Sequence, residues 1–302
     1  MTNIFLTIDV EGEWTVFPSE QRQFDVEKII SNLDILDNLL LEAQDYFSER
    51  IPITWFIRCD ASVRINLGNY NGLLNILEDF IQRKLEQGDS FGIHPHLYPA
   101  DTGREIYSMR DEEIEDQLSE AFASWESFFG EKAKYSRIGE AKMNNFIANQ
   151  LNLYDIEIDS TALPGRTRND NGFDFDWKDT PSKPYKPCKY DYRITSKKDE
   201  NNYNFLEVPF TMIPIKGPDD KEIINRYFNL SFKHKIIDKA LLSHDIPEEI
   251  VCVLHPHEIV CKEGRKHGII SYNKNSFIRN IDNLNQRSII RFKTFKELNH
   301  DE

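Results

Sequence analysis

Apolar and polar positions along the chain alternate between two kinds of block. Short β-prone apolar runs occupy Asn3–Ile8, Ile53–Ile57, Ser90–His96, Lys134–Ile138, Tyr154–Ser160, Phe205–Ile213, Glu249–Leu254 and Ser288–Phe292, lengths that suit buried strands. Between them, Asp25–Glu49 sets Val26, Ile29, Ile30, Leu33, Leu36, Leu39, Leu40 and Ala43 at helical spacing. Gly72–Gln87 repeats that period with Leu73, Leu74, Leu77, Phe80 and Ile81 and stops at Gly88. Asp111 is placed to cap a helix ending near Phe129 and Gly130. Further helices are predicted over Lys142–Leu153, Asp219–His244 and Asn273–Asn285. From Thr161 to Asn204 the chain is rich in Pro, Gly, Asp and Lys, and so long a loop in a compact domain is commonly functional. Strand–helix alternation of this kind argues for an α/β fold with a parallel sheet. Seven or eight units favour a closed barrel over an open sheet, and the absence of a linker or repeat favours one domain over residues 1–302.

Composition narrows the class. The chain has 302 residues, 39% hydrophobic and 12% aromatic, and a net charge of −14. That supports a substantial core and argues against binding nucleic acid or anionic lipid. No apolar run is long enough to span a membrane. The first strand begins at the third residue, which leaves no room for a signal peptide. Cys59, Cys188, Cys252 and Cys261 lack metal-type spacing and read as thiols of a reducing compartment. A cytoplasmic enzyme is the expectation.

The chemistry gathers at strand ends. The first strand runs out into Asp9, Glu11 and Glu13, which share a side in an extended chain. Four of the eight histidines form two copies of one tripeptide: His94-Pro95-His96 and His255-Pro256-His257. Both end predicted parallel strands, on the face where barrel enzymes carry their sites. His94 and His96, two residues apart on a strand, point the same way and suit one metal. With Glu11 or Asp9 they make two nitrogens and a carboxylate, a set that fits catalytic zinc and also non-haem iron. The iron enzymes usually sit on antiparallel double sheets, which the alternating pattern disfavours. Trp14 is a candidate for stacking on a sugar face. Trp55 and Trp125 read as core. Arg166 and Arg168 read as residues of a solvated loop.

In order along the chain, TIDVEGEW, FGIHPHLYP, YSRIGEAKMNNFIANQLNLYDIEIDST, DFDWKDTPSKPY, FLEVPFT and CVLHPHEI resemble the motifs of the polysaccharide deacetylases of the NodB-homology type, carbohydrate esterase family 4. The first is similar to the branch that begins Asp-Val-Glu. The resemblance implies a distorted (β/α)7-type, NodB-like barrel and metal-dependent removal of N-acetyl groups from a sugar or glycan precursor, in surface polysaccharide biosynthesis. It implies Asp9 as catalytic base, Arg137 as the residue that orients it, and His255 as general acid. Glu11, His94 and His96 fall on the metal ligands of one divalent ion, most simply Zn. The family usually spaces its two histidines more widely, and His-x-His is the variant of this branch. Asp176, Trp177 and Asp179 fall on the loop that walls the substrate groove, with His257 a further substrate-side candidate. Two other readings share these motifs: hydrolysis of another C–N bond, as in allantoinase-like relatives, and a catalytically inactive sugar-binding module.

Overall fold

The computed structural model describes residues 1–11, 24–97, 110–170, 173–242, 246–260 and 268–298. In chain order its elements begin β1 (Thr2–Val10), α1 (Val26–Phe47), β2 (Thr54–Ile57), α2 (Ala61–Leu67), α3 (Gly72–Ile76), α4 (Glu78–Glu86) and β3 (Ser90–Ile93). They continue with α5 (Asp111–Phe129), β4 (Tyr135–Ser136), α6 (Asn145–Leu153), β5 (Ile158–Asp159), β6 (Thr167–Asp170), β7 (Phe173–Asp176) and β8 (Leu206–Glu207). The last are β9 (Met212–Ile215), β10 (Ile224–Tyr227), α7 (His234–Leu242), β11 (Glu249–Leu254), α8 (Lys274–Asn285) and β12 (Ile290–Lys293). No described helix is long and apolar enough to cross a membrane.

The chain folds as two compact units, each drawn from separate stretches of sequence. The first gathers Met1–Glu13, Val26–Thr54 and Phe210–Asn299. Here β1 pairs in parallel with β11, from Asn3↔Glu249 to Ile8↔Leu254, and with β12. Ile4, Phe5, Leu6, Ile8 and Val10 are all buried, the near-continuous apolar run of a strand covered on both faces. Helix α1 buries Ile29, Leu33, Leu36, Leu40 and Ala43, one stripe at helical period.

The second unit runs mainly from Trp55 to Pro209. Its strand order is β2-β3-β4-β5-β8, and β3, β4, β5 and β8 pair in parallel. Gly92 lets β3 approach its neighbours: a Cβ there would stand 2.6 Å from the Phe56 ring and 2.9 Å from the Tyr135 carbonyl oxygen. Trp55 and Trp125 lie in the core as expected, and Cys59, Cys188 and Cys252 are buried free thiols. Cys261 lies outside the described residues.

Several elements differ from the sequence reading. The expected strand Phe205–Ile213 is two strands, β8 and β9, in different sheets, and the expected loop Thr161–Asn204 holds the β6–β7 pair. The expected helix Gly72–Gln87 is two helices that meet at Leu77. The strand expected to reach His96 ends at Ile93, because Pro95 has no N–H for the ladder. The stretch expected to be helical from Asp219 to His244 forms the antiparallel β9–β10 pair first, and α7 begins only at His234. Helix α2 was not anticipated; the Asp60 carboxylate caps it by accepting from Ser62 and Val63 N–H.

Candidate active site

In the first unit, the parallel register Ile8↔Leu254 carries the ends of β1 and β11 out of the sheet side by side. Asp9, buried, and Glu11, half-buried, thus meet the His255 imidazole. His255 Nε2 stands 3.9 Å from Asp9 Oδ2 and 3.8 Å from Glu11 Oε1. On the other side of the ring, Nδ1 is 3.4 Å from Glu258 Oε1. Pro256–Glu258 forms a single 3₁₀ turn that folds Glu258 back under the histidine, and Glu258 Oε2 accepts the His255 N–H at 3.0 Å. Asn229 Nδ2 (2.7 Å) and Ser231 Oγ (3.2 Å) donate to the same oxygen.

Burial opposes a charge on His255, but the carboxylates of Glu258, Glu11 and Asp9 outweigh it and push its pKa up to about 10. Burial likewise opposes the Glu258 charge, and His255 with its hydrogen bonds holds that carboxyl below its usual value. The Tyr227 phenol is pushed up by burial and by Glu258, Asp9 and Glu11. His257 lies in the 3₁₀ turn, its ring centroid 5.6 Å from that of His255. Glu13 and Trp14 lie outside the described residues.

In the second unit the two histidines after β3 are buried and held by backbone. His94 donates its N–H to the Ile57 carbonyl at 2.9 Å, and His96 N–H donates to Asp60 Oδ2 at 3.1 Å. Asp60 is itself paired with Arg58 at 2.7 Å. Burial would raise the Asp60 pKa, but Arg58 and His96 hold it below the usual range. The His94 Nδ1 lies 2.8 Å from the Arg137 carbonyl oxygen. That oxygen only accepts, so Nδ1 carries the hydrogen and Nε2 presents its lone pair. His94 Nε2 and His96 Nε2 are 3.1 Å apart, with the rings nearly perpendicular at 85°. Gly139 packs flat against the His96 ring, with no room for a Cβ.

Arg137, just past β4, is 2% exposed. Its Nε donates to the Ser160 carbonyl at 2.8 Å and its Nη2 to Ser160 Oγ at 3.1 Å. The guanidinium lies 4.1 Å from the centroid of the Phe56 ring, a cation–π contact.

The long stretch from Thr161 to Asn204 includes the β6–β7 hairpin. Asp176, at the end of β7, is ion-paired with Arg193. Trp177 is fully buried, and its indole N–H donates to the Ala141 carbonyl at 2.9 Å, so it braces the loop from inside. Asp179 is exposed. Arg168 pairs with Glu140 at 3.3 Å.

Sequence reasoning had located the strand-end histidines and acids. It missed Glu258 and Asp60, whose only signals were a carboxylate three residues after His255 and an Asp before a short helix. It also missed the buried pair Asp159 and Glu207, neighbours across β5 and β8.

No protein-family model matches the chain, and no curated protein does either. Solved structures do match its fold. A protein from Parabacteroides distasonis, provisionally described as a glycoside hydrolase/deacetylase, aligns with a TM-score of 0.57 at 13% identity, over 98% of this chain and 70% of that one. A provisionally described polysaccharide deacetylase from Mycobacterium smegmatis aligns with a TM-score of 0.49 at 14% identity, over 98% and 88% of the two chains. A family 4 acetyl xylan esterase from Clostridium thermocellum, solved with cobalt, aligns with 0.42 at 12%, over 98% and 89%. The expected α/β architecture of the distorted (β/α)7 type is therefore borne out by the Parabacteroides protein, whose likeness spans nearly the whole chain.

Proposed function

We propose that this chain is a metal-dependent carbohydrate N-deacetylase of the polysaccharide deacetylase type, a single catalytic domain over residues 1–302. The observation that carries the reading is the pair of buried Nε2 atoms of His94 and His96, 3.1 Å apart, with the other nitrogen of His94 tied to the Arg137 carbonyl. Two imidazole ligands of one zinc at about 2.1 Å each stand roughly 3.0–3.4 Å apart. A backbone acceptor on the far nitrogen is what orients a metal-binding histidine. These residues therefore fit a metal, and Glu11 is the proposed third ligand.

A divalent ion at this site, most simply Zn, supplies Lewis-acid polarisation of the acetyl carbonyl and makes the attacking water more acidic. Asp9 accepts the proton of that water at a carboxylate oxygen as its oxygen bonds to the carbonyl carbon. Arg137 is proposed to orient Asp9. His255 enters the reaction protonated, because Glu258 beside Nδ1 favours imidazolium. It delivers the Nε2 proton to the sugar nitrogen as the C–N bond breaks, so the departing group is an amine and not an amide anion. The products are acetate and a free amino sugar. Asp176, Trp177 and Asp179, with Trp14 and His257, are the proposed substrate-side residues, Trp177 acting through the loop that it braces. The substrate is proposed to be an N-acetylated precursor of a surface polysaccharide, processed in the cytoplasm.

Acetate release from N-acetylglucosamine oligomers and from a nucleotide-linked N-acetyl sugar tests this reading. Purified protein with zinc should release acetate from one of them, and His94→Ala should lose both zinc and activity. Zinc retained at full occupancy by His94→Ala, or no acetate from any substrate with zinc bound, overturns it.

A further inference from the structure

The proposed reaction makes no use of two fully buried carboxyl groups, Asp159 and Glu207. They are register partners on β5 and β8, and their surroundings are specific. Glu207 Oε1 accepts the backbone N–H of Thr161 at 3.0 Å and of Ala162 at 2.8 Å. Asp159 Oδ1 accepts from Ser136 Oγ. Asp159 Oδ2 is buried with no hydrogen-bond partner, and Glu207 is the residue beside Asp159 on the neighbouring strand. A carboxyl can donate to a carboxylate only if it carries a proton.

The turn that Glu207 grips leads directly to Arg137. Ser160 supplies the carbonyl and hydroxyl that hold the guanidinium. The Ser160 hydroxyl is in turn aimed by the Val208 carbonyl, to which it donates at 2.8 Å. Thr161 Oγ1 accepts the Ile138 N–H at 2.8 Å, fixing the peptide that carries the Arg137 carbonyl opposite His94. The two carboxyls therefore stand behind the segment that sets both the Arg137 side chain and the His94 tautomer.

We propose that Asp159 and Glu207 share one proton, held on Glu207, and that this neutral-acid–carboxylate clamp is the positioning device for Arg137 and, through the Arg137 carbonyl, for His94. Glu207 is shifted in the direction that this sharing requires: burial raises it, and the Asp159 charge raises it further, well above its usual range. Burial raises Asp159 as well, and hydrogen bonds from Glu207, Ser136 and Thr161 with the Arg137 charge act against that rise. The single remaining negative charge, on Asp159, is favoured by the buried Arg137 cation, so the three groups together carry no net charge. The catalytic consequence of the clamp rests on the deacetylase reading above; its structural content does not.

Glutamine is the isostere of a protonated glutamate. In Glu207→Gln the amide oxygen keeps the two backbone N–H bonds and the amide N–H keeps the bond to Asp159. Alanine removes both. Infrared difference spectra at pH 8 should show a protonated-carboxyl C=O band in wild type that vanishes in Glu207→Gln. The slowly exchanging Arg137 Nε–H resonance, assigned by its loss in Arg137→Lys, should persist in Glu207→Gln and vanish in Glu207→Ala. In turnover, Glu207→Gln should match wild type, while Glu207→Ala should lose kcat by roughly 10²-fold at an unchanged KM, the cost of a misplaced catalytic group. A wild type without the protonated band at pH 8, or a Glu207→Gln that loses the Arg137 signal, overturns the clamp. Those two measurements do not depend on the alanine variant folding. Expected spectra without acetate release from any variant or wild type would refute the deacetylase reading and leave the clamp standing.

Discussion

A histidine proposed to give up a proton needs a reason to hold it, and for His255 that reason is Glu258. The carboxylate sits under Nδ1, itself secured by Asn229 and Ser231. In Glu258→Gln the amide oxygen still accepts from Asn229, but the amide N–H now faces Nδ1 and favours the neutral ring. The pKa of His255, about 10 in wild type, should fall by roughly 1 to 3 units. A general acid is active while protonated, so the alkaline limb of the kcat/KM profile should move to lower pH by the same amount. NMR titration of the imidazole in metal-free protein, set beside the pH–rate profile, checks this. An unmoved titration would mean that Asp9 and Glu11 alone hold the proton. Asp60 supports the other histidine pair through the backbone, accepting the His96 main-chain N–H while Arg58 neutralises it.

Among the elements, the turn after β4 is held from two sides. A Cβ on Gly139 would stand 2.1 Å from His96 Cδ2, and the Gly139 N–H is tied to the Pro95 carbonyl at 2.9 Å, so neither partner can move alone. Gly139→Ala should displace the ring and cost about 10–100-fold in zinc affinity, the usual effect of disturbing the support of a metal ligand. Titration against a competing chelator reads it, with circular dichroism as the control for folding. Wild-type affinity in this variant would remove His96 from the proposed ligand set. The strand ends were legible in the sequence because Val251–Leu254 and Ser90–Ile93 are apolar runs that stop at His-Pro-His. The Arg137 carbonyl opposite His94 was not, since it depends on how β3 registers with β4. Nor was the β9–β10 pair. Leu230, Ile237 and Leu241 fit a helical period, and only the antiparallel register of Ile224–Tyr227 on Met212–Ile215 decides. Glu258 escaped notice because a single 3₁₀ turn after Pro256 brings it back onto His255, a contact with no periodic signature.

At the scale of the molecule, the acidic composition and the buried proton-holding groups act on stability together. Glu207 is raised above its usual 4.5 and His255 is raised from 6.5 to about 10. Each therefore keeps a proton in the native state that the unfolded chain has already lost. Stability rises with pH where the unfolded state binds more protons and falls where the native state does. The contribution of Glu207 is complete below about pH 4.5 and that of His255 below about pH 6.5, and each is lost as pH climbs through the native pKa. Asp60 and Glu258 are shifted the other way, so they stabilise above their ordinary values and lose that contribution in acid. The metal-free protein should thus be most stable in weak acid and should weaken above about pH 4.5, with His255 adding to the loss between about pH 6.5 and 10. Each extra bound proton contributes a slope of about 1.4 kcal/mol per pH unit. The net charge of −14 adds self-repulsion at high pH, in the same direction, so the slope in wild type does not identify its source. Variants do. Glu207→Gln cannot lose a proton and should flatten the urea-midpoint curve wherever Glu207 titrates, while His255→Gln should flatten it between about pH 6.5 and 10. Curves for both variants that run parallel to wild type across that range would assign the alkaline weakening to surface repulsion and strip both buried groups of their protons.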